Sequence, residues 1–325
     1  MKQSILFCLV LLSSSVNGLH AKADDSPSKK ASFIPQWSHQ AQFAGYYVAY
    51  EKGIYKRYGI DVTILSGGPD SPSTEYLKDG KSDFATMFLS TAIIEKADGV
   101  NLVNIAQIIQ RSALMLIAKK SSKINDPKDM DGKKIGLWGP EFQVQARALF
   151  KKYEVVPKII PQSQSINLFL RDGVDVASAM WYNEYHTILN NGIDPDELST
   201  FFFEDYGLNF PEDGIYTLKE NFETDPSLSC AFVKASIEGW KYAFENPDEA
   251  IDIVLKYMRN SKLPANRTHQ RWMLDRMKDI VLDDGNLTTI GVLNEGDYIR
   301  VTDELKKTGL IKDPPEFTEF HEICN

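Results

Sequence analysis

One internal similarity constrains this chain more than any other feature. Tyr55-Lys56-Arg57-Tyr58-Gly59-Ile60 is followed by Leu77-Lys78-Asp79-Gly80 and then Asp83-Phe84-Ala85-Thr86-Met87. Downstream, Phe150-Lys151-Lys152-Tyr153-Glu154-Val155 is followed by Leu170-Arg171-Asp172-Gly173 and then Asp175-Val176-Ala177-Ser178-Ala179-Met180. The offset is 95 residues at the first block and 93 at the glycine. Two matches in order and in near-constant register predict two lobes built on one plan. Each lobe has a helix ending at Gly, an Asp-bearing turn and a strand that delivers Met to its C-terminal end.

The flanking pattern agrees. Strand-like runs at 32–35, 62–65, 84–87, 102–109, 114–118 and 134–137 alternate with helical stretches at 42–55, 74–78, 91–96 and after Gly139-Pro140. Alternation of this kind predicts an α/β fold with largely parallel sheets. From Pro226 onward the 3–4 spacing of apolar residues predicts helices over 226–245, 247–258, 266–280 and 295–307. Ligands of open parallel sheets bind beyond the carboxyl ends of the strands, so two such lobes put a site in the cleft between them. The strand-end segments are Ser66–Gly68 and Phe88–Thr91 in lobe one, and Trp138–Phe142, Gln162–Gln164 and Trp181–Tyr185 in lobe two.

Composition narrows the class. Apolar residues make up 43% and charged residues 25% of 325 positions, the mix of a packed soluble protein. A formal charge of −9 argues against a nucleic-acid partner, which needs a basic face. Met1-Lys2-Gln3, the apolar run Ser4–Leu12 and the small-residue stretch Ser13–Gly18 have the layout of a secretory signal, expected over 1–21. Residues 22–31 read as a polar, flexible leader. After cleavage Cys230 and Cys324 remain, either as a disulfide of an oxidising compartment or as two unpaired thiols. The five His are scattered without an i,i+4 pair, so no metal site is expected. Asn266-Arg267-Thr268 and Asn286-Leu287-Thr288 match the glycosylation acceptor pattern.

Two stretches carry the binding chemistry. The first, Pro35 to Tyr47, mixes aromatics and amides at a helix start and offers Trp37, Gln42, Tyr46 and Tyr47 as ligand contacts or as core. The second, Met180-Trp181-Tyr182-Asn183-Glu184-Tyr185, sets rings for stacking beside an amide and a carboxylate. Glu accepts from an exocyclic N–H and Asn both donates and accepts, which suits a planar heteroaromatic bearing amino groups. Ser90 and Thr91, with Trp138 and Gly139, complete the strand-end candidates. Asp213, in Asn209-Phe210-Pro211-Glu212-Asp213-Gly214-Ile215-Tyr216, binds ligand or braces a hinge. Ser66-Gly67-Gly68-Pro69-Asp70 is an anion-cradling turn or simply a tight one. No nucleophile elbow, phosphate loop or dinucleotide fingerprint is present, so no catalytic residue, enzyme activity or cofactor is expected.

The segments Trp37 to Tyr47, Glu51-Lys52-Gly53-Ile54-Tyr55, Tyr58-Gly59-Ile60-Asp61-Val62, Asp131-Gly132-Lys133-Lys134-Ile135-Gly136 and Pro211 to Tyr216 resemble the ABC-transporter substrate-binding proteins for thiamine pyrimidine precursors, sulfonates and nitrate. The resemblance implies a two-lobed type II periplasmic-binding fold, its sheets joined by two crossovers. The lobes would then span 32–117 and 118–215, with 216–325 returning to lobe one. It further implies a periplasmic monomer that delivers an aminopyrimidine to an ABC permease and meets the membrane only there. A flavin, a sulfonate or a receptor-docking sensor role are the alternatives. The superfamily includes fungal enzymes that build the thiamine pyrimidine with bound pyridoxal phosphate. By the same resemblance those carry Lys and His near Met87–Thr91 and a Cys-rich run, and this chain has neither.

Overall fold

The computed structural model describes residues 28–282 and 289–324. The expected export signal and the Asn286 acceptor pattern lie outside the described residues. Among the described residues, ten strands form two five-stranded sheets. The first sheet contains β1 (Lys29–Ile34), β2 (Ile60–Ile64), β3 (Phe84–Phe88), β4 (Leu102–Gln107) and β10 (Asp213–Leu218), in the order β2-β1-β3-β10-β4. The second contains β5 (Leu114–Lys119), β6 (Lys134–Leu137), β7 (Lys158–Pro161), β8 (Val176–Met180) and β9 (Leu198–Phe202), in the order β7-β6-β8-β5-β9. The two orders are the same plan. In each, three parallel strands are followed by an antiparallel one, β10 or β5, that the chain reaches directly after crossing from the other sheet.

The repeated Asp has a physical task. Asp83 accepts from the Ser32 amide at 2.7 Å, and Asp175 accepts from the Lys134 amide at 2.8 Å. The two carboxylates thereby fix the register of β3 against β1 and of β8 against β6. The sequence periodicity thus marks a hydrogen-bonded anchor as well as a turn.

Three boundaries differ from expectation. Lys29–Ala31 belong to β1, because their pairing with Ile60–Val62 satisfies the backbone, so the polar leader ends earlier than residue 31. The expected divisions at 117/118 and 215/216 fall inside β5 and β10. The crossings occupy 108–113 and 203–212 instead, since β5 already pairs in the second sheet and β10 in the first.

The crossings are bound to each other. Ile108 and Ile109 both donate to the Asp213 carbonyl, at 3.1 and 3.0 Å, and Ser112 donates to Asn209 Oδ1 at 2.9 Å. The buried Glu212 carboxylate accepts from the Ala113 amide at 2.6 Å and the Leu114 amide at 3.2 Å. A buried backbone N–H must find a partner, and here one side chain serves two at the point where the chain enters lobe two.

The C-terminal helices Pro226–Glu245, Pro247–Asn260, Arg267–Val281 and Glu295–Lys307 follow the apolar periodicity closely. Phe232 of the first stacks on Phe84 and Tyr55 with centroids 4.2 and 5.2 Å apart, sealing that helix against the first sheet. The same helix crosses the Ala44–Glu51 helix at Gly239, where any Cβ would overlap the Gly45 carbonyl. Gly239→Ala is therefore expected to lower stability by about 1–3 kcal/mol, the usual range for overpacking. Chemical denaturation of both proteins measures it; an unchanged midpoint would show that the helices can slide apart freely.

Candidate functional site

A cleft of about 660 Å³ lies between the sheets, beyond the carboxyl ends of the parallel strands. From lobe one, Gln36, Trp37, Gln40 and Gln42 follow β1, Gly68–Pro69 and Pro72–Thr74 follow β2, and Met87, Phe88 and Thr91 end β3 and begin the next helix. From lobe two, Trp138, Gly139, Glu141 and Phe142 follow β6, Gln162–Gln164 follow β7, and Met180, Tyr182, Asn183 and Glu184 follow β8. The equivalent turns of the two repeats thus face each other. Phe88 and Phe142 meet edge to face across the cleft at 5.3 Å, and Phe142 meets Trp138 likewise at 5.9 Å.

The polar lining is organised by two carboxyl groups. Buried Asp213 accepts from Gln42 Nε2 at 2.9 Å and from Gln36 Nε2, while Gln40 Nε2 donates to Gln42 Oε1 at 2.6 Å. Three amides are oriented by one acid beneath the floor. Opposite, Glu184 accepts from the Met180 amide at 2.9 Å on one oxygen and from Asn183 Nδ2 at 2.8 Å on the other. A carboxylate offers about four lone-pair sites, so acceptor capacity remains on both oxygens. Burial pushes the Glu184 carboxyl up to about 7, against the N–H of Met180, which favours the charged form. Burial likewise raises Asp213 to about 7, and burial with the neighbouring Asp213 raises Glu212 to about 8. Among the described residues, no Lys, Arg or His lines the cleft. Such a site can stack flat rings and accept hydrogen bonds, and it holds no cation for a phosphate or sulfonate.

The structure brings Trp37, Gln42, Thr91, Trp138, Gly139, Tyr182, Asn183 and Glu184 together on this cleft. It does not bring Tyr46, Tyr47, Ser90, Trp181 or Asp213 to the lining. Tyr46 and Tyr47 are buried on a helix covered on both sides: Tyr46 packs on Phe33 at 4.5 Å, and Tyr47 stacks on Tyr257 at 4.4 Å. Trp181 turns away toward Phe202 at 5.5 Å, with the Arg276 guanidinium 4.7 Å from its ring. Ser90 sits one position before Thr91 on the helix Leu89–Ala97 and misses the cleft. Asp213 acts from beneath, through Gln36 and Gln42.

Gln36, Gln40, Phe88, Glu141, Phe142 and Gln162 also line the site, although residue-level reading did not select them. Most lie inside the strand-end segments, which was the available signal. Gln162 is committed to structure, since its amide bridges both the N–H and C=O of Ser178 at 3.2 and 2.7 Å. Gly67 is pressed on the residue after β1, where a Cβ would overlap the Pro35 carbonyl, and the tight turn follows at Pro69-Asp70, closed by the Ser71 amide donating to the Gly68 carbonyl at 2.9 Å. Ser66 Oγ is 2.9 Å from His39 Nε2.

The raised carboxyls set the pH dependence of stability. Each is protonated more readily folded than unfolded, so its stabilising effect is full below about pH 4 and is lost as pH rises through about 7–8. The histidines His39, His186, His269 and His321 are shifted down, chiefly by burial, and act oppositely, but only below about pH 6.5. Between pH 6.5 and 8 the acids stand alone, and the thermal midpoint should fall. Glu212→Gln should flatten that fall. A midpoint that rises across this interval in a calorimetric scan contradicts the assignment.

Comparisons with known proteins place this architecture. The chain is 26% identical over 247 residues to a riboflavin-binding protein of Chloroflexus aurantiacus, covering 71% of this chain and 66% of that one. It is 20% identical over 267 residues to a formylaminopyrimidine-binding protein of Halalkalibacterium halodurans, covering 80% of each. A 4-amino-5-hydroxymethyl-2-methylpyrimidine phosphate synthase of Schizosaccharomyces pombe is 28% identical over 153 residues, 47% of this chain and 42% of that one. Among solved structures, the periplasmic aliphatic sulphonate binding protein SsuA of Escherichia coli shares the fold at a TM-score of 0.70, with 16% identity, over 90% of this chain and 91% of that one. The two-lobed periplasmic-binding fold is thereby established. A family model described as NMT1/THI5 like matches residues 40–250, and the chain belongs to that family.

Proposed function

We propose that this protein is an exported binding protein that captures a thiamine pyrimidine precursor between its lobes and delivers it to an ABC permease. One observation carries the ligand class: the cleft joins a carboxylate, oriented amides and aromatic rings, and holds no cation. An aminopyrimidine would stack on Trp37 or Trp138 and donate its amino group to Glu184, with Asn183, Tyr182, Thr91 and Gln42 supplying further hydrogen bonds and Gly139 leaving room. The similarity to a formylaminopyrimidine-binding protein supports the same class.

A sulfonate is disfavoured, despite the shared fold, because nothing in the lining would neutralise it. The synthase reading meets the same obstacle. Met87-Phe88-Leu89-Ser90-Thr91 supplies no Lys to join an aldehyde, and the cleft offers no cation for the phosphate of pyridoxal phosphate. A flavin is the second reading, favoured by a cleft far larger than one pyrimidine ring and by the similarity to a riboflavin-binding protein.

Native mass spectrometry of the protein purified from cells, followed by calorimetric titration with hydroxymethylpyrimidine, formylaminopyrimidine, riboflavin and taurine, tests the order. Tighter binding of a pyrimidine than of riboflavin is the expected result. Tighter riboflavin binding replaces the first reading with the second, and tight taurine binding removes both.

A further inference from the structure

The helix Arg267–Val281 lies beyond the residues matched by the family model, yet it touches both lobes. It is anchored on lobe one, where Gln270 Oε1 accepts from the Ala41 amide at 2.7 Å and Arg271 pairs with Asp248 at 2.8 Å. Its other face reaches lobe two. Trp272 Nε1 donates to the Trp181 carbonyl at 3.1 Å, and the Trp272 ring stacks on His186, 4.9 Å away and 11° from parallel. Arg276 lies over both the Trp181 and Trp272 rings, at 4.7 and 4.8 Å. His269, Trp272 and Arg276 fall at i, i+3 and i+7, one face of the helix.

His269 closes a hydrogen-bonded chain that runs into the cleft. Asn183 Nδ2 donates to Glu184, so Asn183 Oδ1 is the acceptor toward His269 Nε2 at 2.9 Å. His269 Nε2 therefore carries the proton, and in the neutral ring its Nδ1 can only accept. His186 Nδ1, 2.9 Å from it, must then donate. Asn190 Nδ2 lies 3.2 Å from the same His186 nitrogen, so this arrangement requires the Asn190 amide to turn and present its oxygen there. Each proton position thus follows from the Glu184 carboxylate.

We propose that His269, with His186 and Trp272, is a proton-sensitive latch that holds the lobes closed and positions the Asn183–Glu184 pair at the cleft. A second proton on His269 would point at the His186 N–H, donor against donor, and break the His-to-His link between the lobes. The titratable or charged groups facing this link are His186, Tyr185 and Glu184 from the helix Glu184–Asn190 and its start, and Arg276 from the latch helix itself. Burial, with the nearby His186, lowers His269 to about 4, so acid favours the open state. The open:closed ratio then rises by roughly tenfold per pH unit between about 6.5 and 4. The latch rests on no choice of ligand, so its failure leaves the pyrimidine reading intact, and the reverse holds too.

The test uses the ligand-free full chain. In 15N-histidine spectra at pH 7, His269 should be the neutral Nε2–H tautomer and His186 the Nδ1–H tautomer, and His269 should titrate below the ordinary 6.5. Small-angle scattering should show the radius of gyration rising from pH 7 to pH 5. His269→Gln, whose amide can donate to Asn183 and accept from His186, should abolish that rise. His186→Phe keeps the stack on Trp272 but not the donor, and should be enlarged already at pH 7. Glu184, Asp213 and Glu212 titrate nearby and are unchanged in His269→Gln, so their share is subtracted. An ordinary His269 midpoint near 6.5, a flat wild-type profile, or an equal rise in His269→Gln overturns the latch. The spectra alone decide it if a variant does not fold.

Discussion

Reducing the bond between Cys230 and Cys324, or replacing both residues with serine, is expected to cost roughly 2–5 kcal/mol of stability. The structure joins the two sulfurs, with Cα atoms 4.9 Å apart and 94 positions between them in the chain. A cross-link over so long a loop removes much conformational freedom from the unfolded state. It also fastens the C-terminal tail. Phe320 is fully buried against Tyr298 and Tyr216, and the Glu322 amide donates to the Asn104 carbonyl at 2.9 Å. The tail covers the outer edge of β4, which would otherwise expose unpaired backbone groups. Denaturant titration with and without reductant measures the loss. Coincident midpoints would mean that the tail holds by packing alone.

Glu184→Gln should weaken hydroxymethylpyrimidine binding by about 10- to 100-fold, because charge-assisted hydrogen bonds are worth roughly 1.5–3 kcal/mol and each ~1.4 kcal/mol is tenfold. The sign with pH follows from the same group. Unliganded, its carboxyl sits near 7, so wild-type affinity should decline as pH falls below 7, whereas the Gln variant loses that part of the slope. Trp37→Ala removes a lining ring and should also cost affinity. Trp181→Ala should lower the thermal midpoint and leave affinity unchanged, since that ring packs outside the cleft. Calorimetric titrations beside melts separate these results. Full affinity in Glu184→Gln would remove the main reason for choosing a pyrimidine.

The contrast between Trp181 and Tyr182 shows where sequence reading stops. β8 ends at Met180, and in the turn Trp181–Asn183 that follows, Tyr182 lines the cleft while Trp181 packs away from it. The stretch was legible as a site, but its parity was not, because a strand end continuing into a helix has no fixed phase. Tyr46 and Tyr47 failed differently. Their helix is buried against both Pro226–Glu245 and Pro247–Asn260, and an all-round apolar helix gives no sign of which face meets ligand. Gln36 and Gln40 lay inside the selected Pro35–Tyr47 stretch, but nothing local singled them out from its other residues. Their orientation depends on Asp213, which is 177 residues from Gln36 in sequence. The fold was far more legible, since the Asp83 and Asp175 anchors recur in register and the C-terminal helices keep their apolar spacing.

The return of β10 to the first sheet also imposes an order in time. All five strands of the second sheet lie in one stretch, 114–202, which is complete as soon as that stretch has emerged. The first sheet is interrupted: β1–β4 come early, yet β10 must slot between β3 and β4 some hundred residues later. Its covering helices and the Cys324 tether come later still. During vectorial synthesis the half made first is therefore the half finished last, and for most of that interval β3 and β4 lack their common neighbour. A chain of this design is well suited to being held unfolded until its end is released.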